Sequence, residues 1–512
     1  MSLTLKLRLP RKRALAFGAL WALTQTIPAR GGGVHLDGSL GQSGALPGPN
    51  YLIPAEAGKQ AGGNLFHSFS QFDISNGEVA TFLAPANPNA PAINNILARI
   101  TSGSASSIDG TIRSDISGAN LFLINPNGFM FGAHASLDIS GSFTATSAST
   151  VKLSDGAHFD AHPGSGDLTL SSAPVSAFGF VATSTTQINV ASTLSVPTGQ
   201  SLSLIGGHNI NITAAHLSAP SGQIAIVSNS SASDVSVDLK SPHPTGAINE
   251  SAGSILDASG PTGGKIVIRA GALTLQGASQ AFATTEGSGG GGGINVKVTG
   301  TTTVKGQSRL FTLTTGAGTA GNLKISSGTL NVTNSSVLGS QATNTAASTA
   351  RAGDVNIFAG NIGLFDESEI AAASFGAGRP GNMTIVAKNL TMSLGFTAQG
   401  QTGEEIADIT DENGSGNLRL YIADKLSISN GASISTSTFG QAKGGDLTVS
   451  AGDIYIANSG TIPFSLTETG IFADSSGTGR GGDIHLKANN VTIASGGLIS
   501  TRALSSGNGG TT

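Results

Sequence analysis

The chain has 512 residues, a formal net charge of −4, 11% charged and 38% hydrophobic residues, 73 Gly, 18 Pro and no Cys. So little charge beside so much Gly argues against an ordinary globular enzyme, and the hydrophobic share is too large for disorder. The small negative charge gives no electrostatic case for nucleic acid as a partner, and no disulfide framework is available.

The chain opens with Lys6, Arg8, Arg11, Lys12 and Arg13, then the apolar run Ala14–Leu23, then Ile27-Pro28-Ala29. This reads as a secretory signal peptide over 1–29, cleaved near Ala29. The apolar run is well short of the ~20 residues of a spanning helix, so a membrane anchor is rejected. Residues 31–60 are rich in Gly and Pro, with Val34, Leu36, Tyr51, Leu52 and Ile53 as apolar anchors. They are expected to form a cap of irregular loops, because a stacked β fold must hide its first edge.

From Asn64 onward, short apolar runs alternate with turns. The most informative turn is Asn125-Pro126-Asn127-Gly128, set between the runs Ala119–Ile124 and Phe129–Phe131. Pro126 fixes its own φ, and Asn127 and Gly128 tolerate positive φ, so the segment reads as strand, tight turn, strand. By itself the tetrapeptide is an ordinary hairpin. Its surroundings include Asn64-Leu65-Phe66-His67-Ser68-Phe69-Ser70-Gln71-Phe72, Asn94-Asn95-Ile96-Leu97-Ala98-Arg99 and Ser107-Ile108-Asp109-Gly110-Thr111-Ile112, followed by Asn120.

In this order, these blocks resemble the N-terminal secretion domain of the filamentous haemagglutinin family, the exoproteins of two-partner secretion. The resemblance is carried by residues 60–150. It implies a secretion domain over 30–262, with Asn125, Pro126, Asn127 and Gly128 as its motif and Asn64, Phe66, Phe69, Phe72, Asn95, Arg99, Gly110 and Asn120 as its signature. It implies an outer-membrane β-barrel transporter with periplasmic docking domains as partner. It further implies export to the medium or cell surface of a Gram-negative-type bacterium, and an adhesin or haemagglutinin role toward a host receptor or glycan. A second Asn-Pro-Asn-Leu motif found in some branches has only Asn87-Pro88-Asn89-Ala90 as a counterpart here.

From Gly264 a repeat is visible: a Gly, often Asn or Asp next, then apolar, polar, apolar. The anchors are Gly264, Gly292, Gly321, Gly353, Gly381, Gly416, Gly445 and Gly482. Their mean spacing is about 31 residues, a period that signals a repeat architecture. Each period holds three strand-like pieces, such as Leu447–Val449, Ile454–Ile456 and Ile471–Ala473. The expected fold is therefore all-β, a right-handed parallel β-helix with three strands per rung, its repeats filling 263–512 and broken off at the C-terminal end. Gly would serve the corner, and the Asn or Asp after it would satisfy turn amides and stack with its counterpart one rung away. A propeller, with four antiparallel strands per blade, fits less well.

Candidate chemistry is thin. His158 and His162 flank Asp160 on one face of a possible strand, which could ligate a metal but reads better as surface. Glu404, Glu405, Asp408, Asp411 and Glu412 read as a solvated loop rather than a Ca²⁺ site. Asp354, Asp446 and Asp483 follow anchor glycines as turn residues without clustered bases. The protein is accordingly expected to use no cofactor and not to be an enzyme, with a β-helix polysaccharide lyase or hydrolase as the alternative.

Overall fold

A computed structural model describes residues 32–164, 170–180, 185–239, 244–343, 345–393, 405–410 (backbone only), 416–458 and 468–512. The signal-peptide reading of 1–29 lies outside these residues, as do Glu404, Asp411 and Glu412. Glu405 and Asp408 fall in a strand, Glu405–Thr410.

The chain forms a parallel β-helix. One inward column can be followed by register from His67 through Ala98, Leu123, Ala145 and Leu204 to Ile226. It continues through Ile268, Val296 and Ile325, and then through Ile357, Ile385, Leu420, Val449 and Leu486. The last five are the column that the repeat predicts. The stacking thus starts about two hundred residues before Gly264, where the repeat first becomes legible.

The early rungs hide their period because both faces of their strands are buried. Ser201–Gly206 and Gln223–Ser228 are buried at five of six positions, whereas Met383–Ser393 alternates between buried and more exposed residues. A strand covered on both sides reads as an apolar run and loses its two-residue rhythm. The cover is a four-stranded antiparallel sheet of Thr150–Leu153, His158–Asp160, Val175–Gly179 and Asp234–Ser236. It packs Val151, Phe159, Phe178 and Val235 against Phe66, Leu97, Ile205 and Val267 of the helix's outer face. Nothing in the sequence period announces it.

Two expectations need correction. The cap is not irregular: Val34–Asp37 pairs antiparallel with both Ser43–Ala45 and Asn64–Phe72, and Leu52 faces solvent while Tyr51 and Ile53 are buried. Short antiparallel strands close the first edge by using its hydrogen bonds. Nor are the three pieces of each later rung all separate. Leu418–Ser429 and Leu447–Ala457 each run through two faces of the rung, bending without breaking. At Gly452 the bend brings the chain so near Asp424 that a Cβ would collide with its carbonyl oxygen.

The residue after each anchor glycine ties one rung to the next. The backbone N–H of Asp354 donates to Asn322 Oδ1 at 2.8 Å, that of Asn382 to Asp354 Oδ1 at 2.9 Å, and that of Asn417 to Asn382 Oδ1 at 3.1 Å. Asp446 and Asp483 continue the series at 3.0 and 3.1 Å. The anchor glycines themselves stack too closely for any side chain: a Cβ on Gly381 would strike the Gly353 carbonyl.

Ile385 and Thr384 are neighbours on opposite faces of this sheet, Ile385 fully buried and Thr384 half-exposed. Ile385→Asp should cost several kcal/mol through an unpaired buried carboxylate. Thr384→Asp should fall within about 0.5 kcal/mol of neutral. Equal urea midpoints for the two variants would show the face assignment to be wrong.

Two titratable groups interrupt the apolar interior. Neither ring nitrogen of His67 has a hydrogen-bond partner among the described residues, and burial pulls its pKa down to about 3 from 6.5. Glu250 lies in register between Ile212 and Leu275, both its oxygens unpartnered among the described residues, and burial pushes its pKa up to about 8 from 4.5. Below pH 6.5 the unfolded chain takes up a proton that folded His67 refuses, so stability falls as pH drops toward 3. Above pH 4.5 the unfolded chain releases a proton that folded Glu250 keeps, so stability falls as pH rises toward 8. Between 4.5 and 6.5 the two slopes oppose each other. Unfolding free energy should be flat there and decline on either side by roughly 1.4 kcal/mol per pH unit. Glu250→Gln should abolish the alkaline decline and turn the flat region into a rise up to pH 6.5, because the His67 slope is then unopposed; a decline above pH 6.5 that survives the substitution belongs to another group.

Candidate functional site

The Asn125–Gly128 turn is a corner between two faces of the helix, not a hairpin. Asn120–Ile124 runs parallel between Asn95–Ile100 and Phe143–Thr146. Phe129–Phe131 runs parallel between Ser106–Ile108 and Ile188–Val190. The two strands flank the turn but each pairs with other rungs. Within the turn, the Gly128 N–H donates to the Asn125 carbonyl at 2.9 Å, with Pro126 at the position where a fixed φ suits a β-turn.

Each residue of the motif has a structural task. Asn125 is fully buried. Its Oδ1 accepts the Asn127 N–H at 2.9 Å, and its Nδ2 donates to the Ser104 carbonyl and Ser106 Oγ, both at 3.1 Å. Asn127 Nδ2 donates to the Ser102 carbonyl at 2.5 Å. The turn thereby clamps the loop that precedes Ser106 on the rung below. Gly128 has φ +91°, and a Cβ there would run into the Gln187 carbonyl. Both conditions require glycine.

The signature residues divide into three asparagines, three phenylalanines, Gly110 and Arg99. Asn64, Asn95 and Asn120 stack as an amide ladder: Asn95 Nδ2 donates to Asn64 Oδ1 at 2.9 Å and Asn120 Nδ2 to Asn95 Oδ1 at 3.0 Å. One end is closed by Asn64 Nδ2 donating to the Ser171 and Ala173 carbonyls, the other by the Ser142 N–H donating to Asn120 Oδ1. Phe69 and Phe72 pack edge to face at 5.1 Å inside the first rung, with Phe82 against both. Phe66 points the other way and meets Phe159 of the covering sheet at 5.0 Å. Gly110 leaves no room for a Cβ between the Glu78 and Ser75 carbonyls.

Arg99 joins three parts of the structure. Its guanidinium is fully buried beneath the covering sheet, 4.7 Å from the Phe159 ring centroid. It donates to Ser68 Oγ at 2.7 Å on the first rung, to Ser39 Oγ at 2.8 Å in the cap and to the Asp160 carbonyl at 2.9 Å in the cover. Ser68 and Ser39 donate onward to Asp37 at 2.6 and 2.7 Å. Burial pushes the Asp37 carboxyl up, but hydrogen bonds from Ser68, Ser39 and Thr101 outweigh it and hold it below the usual carboxylate range. Cation, serines and carboxylate thus form one buried polar network.

Asp37, Ser39, Ser68 and the Ser102–Ser106 loop escaped the sequence reading. Ser is too common in this chain to be singled out, and an Arg inside an apolar run was the one available signal. His158 and Asp160 form a surface pair at 3.0 Å, and His162 is exposed. Among the described residues no three His, Asp or Glu side chains converge as a metal site. What the arrangement provides is a rigid, shape-defined surface.

Arg99→Met would strand the acceptors on Ser68, Ser39 and Asp160, the first of them buried, and should lower unfolding free energy by about 3–5 kcal/mol. Arg99→Lys should recover only part of that, because an ammonium cannot reproduce the guanidinium fork. Urea unfolding of the purified proteins measures both; wild-type stability in Arg99→Met would remove the network from the account.

Against known proteins, the profile of the TPS secretion domain matches residues 34–291 of the 512. No curated protein matches the chain. Among solved structures, the HMW1 secretion domain from Haemophilus influenzae is similar at 18% identity and a TM-score of 0.37, covering 88% of this chain and 95% of that one. The matched span contains the Asn125–Gly128 turn, the amide ladder and the Arg99 network, and the chain belongs to the TPS secretion domain family, as an exoprotein of two-partner secretion directed to an outer-membrane transporter.

Proposed function

We propose that the Asn125–Gly128 turn and the signature residues around it hold the surface that the transporter's periplasmic docking domains recognise, after a signal peptide over 1–29 has carried the chain to the periplasm. On this reading 30–262 is the secretion domain and 263–512 the β-helix body, which acts as an adhesin or haemagglutinin at the cell surface. The observation that carries the proposal is the clamping of the Ser102–Ser106 loop by Asn125 and Asn127. Four consecutive residues are spent on fixing one largely buried corner, more than a tolerant surface turn requires.

Progressive folding at the exit side suits this architecture, since each rung contacts only its neighbours. The cap also offers a place for the docking domains to add a strand. Ser43–Ala45 is exposed and pairs, among the described residues, only with Val34–Asp37. The enzyme alternative finds less support. Asp354, Asp446 and Asp483 accept N–H groups from the next rung and pair with Arg351, Lys443 and Arg480. They are occupied in holding rungs together.

Asn127→Ile removes the bond to the Ser102 carbonyl and so loosens the clamped loop, a loss of roughly 1–3 kcal/mol. In cells holding the matching transporter, processed Asn127→Ile chain should accumulate in the periplasm and be degraded while little reaches the medium. The exposed control Asn489→Ile should be exported like wild type. Normal export of Asn127→Ile would leave the turn without a role in secretion.

A further inference from the structure

The outer face of the long sheet is used differently in its two halves. Its outward column runs in register from Ser68 and Arg99 through Ile124, Thr146, Ile205 and Val227, all under the cap and the covering sheet. The covered cluster ends at Val267. Arg269 is half-buried, and from Lys297 on the same face has no cover among the described residues.

The bare half has a distinctive chemistry. Two adjacent outward columns carry Arg269, Lys297, Lys324, Arg419 and Lys487, and no Asp or Glu. Among the described residues none of these five cations pairs with a carboxylate; Arg269 donates instead to the Ile268 and Asn295 carbonyls. The nearby aspartates do not offset them, because Asp354, Asp446 and Asp483 are already matched by Arg351, Lys443 and Arg480 at the corner. Set among the cations are two exposed rings, Phe358 at 39% and Tyr421 at 43% exposure, in one column two rungs apart. Lys324 Nζ lies 5.9 Å from the Phe358 ring centroid. Between them stand short hydrogen-bonding side chains, Asn356, Thr384, Thr448 and Ser450.

We infer that this uncovered face is a binding surface for an acidic polysaccharide lying along the helix axis. Cations without a carboxylate partner attract a polyanion, and exposed rings stack on the apolar faces of sugars while Asn, Thr and Ser meet hydroxyls. Charge spacing separates this ligand from nucleic acid. From Arg269 to Lys487 is seven rung steps, or about 34 Å at ~4.8 Å per step. Five cations over that length give one charge per ~7 Å, far sparser than the ~1.7 Å of duplex DNA. It suits a chain with one acid group on every sugar or every second sugar. The inference rests on the reading of the body as an adhesin and names the class of ligand it would hold.

The test uses the full mature chain collected from the medium, with polygalacturonate as probe, dextran as the neutral control and a duplex DNA fragment as the rival polyanion. At about 0.1 M salt, where the Debye length is ~10 Å, the chain should bind polygalacturonate and not dextran. Lys324→Glu with Arg419→Glu should weaken binding about tenfold or more, and so should Phe358→Ser with Tyr421→Ser. Lys305→Glu, on another face, should change nothing. All variants alter outward positions, and unchanged melting would confirm that they fold. Failure of the wild type to bind, wild-type affinity in both double variants, or DNA bound as tightly with the aromatic pair dispensable would each overturn the inference. Adherence of whole cells is scored separately. Adherence that persists without polygalacturonate binding would sink this inference and leave the adhesin reading standing.

Discussion

The structure depends on register between rungs. A parallel strand has no hairpin to fix its partner, so register must come from side chains. Here two devices agree. The column from His67 to Leu486 would put its apolar residues into solvent after a one-residue slip. At the corner, each Asn or Asp after an anchor glycine receives the N–H of its counterpart one rung on. The first device selects the face, the second the residue. Glycine at the anchor makes the second possible, because only a bare backbone lets successive corners lie so close.

The amino-terminal half adds a second requirement. Its outer face is apolar and must be covered, which the antiparallel sheet does, and Arg99 stitches cap, rung and cover together. A buried polar network of this kind adds little net stability beside a well-packed apolar replacement of all its members, but it tolerates few alternative arrangements. It belongs where three pieces of chain must meet in one way. The turn at Asn125–Gly128 does the same on a smaller scale, binding a loop of the preceding rung instead of its own strand. Recognition by a transporter requires such a surface to be reproducible.

How far this could be read in advance varied along the chain. The late rungs alternate cleanly, so Ile357, Ile385, Leu420 and Val449 were assigned to one column, and the corner role of Asp354, Asp446 and Asp483 followed from their place after glycine. The early rungs were legible only through family resemblance, since Ser201–Gly206 and Gln223–Ser228 are buried on both faces. The covering sheet, and with it the role of Arg99, depends on contacts between residues far apart. Arg99 meets Asp160 61 positions away, and Asn64 meets Ala173 at 109. No local rhythm encodes pairings of that length. The inward placement of Glu250 between Ile212 and Leu275 runs against the pattern, and only coordinates could reveal it.

The corner ladder has a consequence for how such a chain can change in length. Each Asn or Asp donates with its backbone and accepts with its side chain, so every rung presents the same socket upward and the same plug downward. Asn322, Asp354, Asn382 and Asn417 are interchangeable in this respect. Excision of residues 354–381 would join Gly353 to Asn382 and set its N–H opposite Asn322, with Ile385 falling on Ile325. Insertions and deletions of whole turns therefore leave every remaining contact type intact, while an odd number of residues added within a strand turns its column inside out. For such a molecule, reach is a variable that gene duplication can adjust in single-rung increments without redesigning the fold.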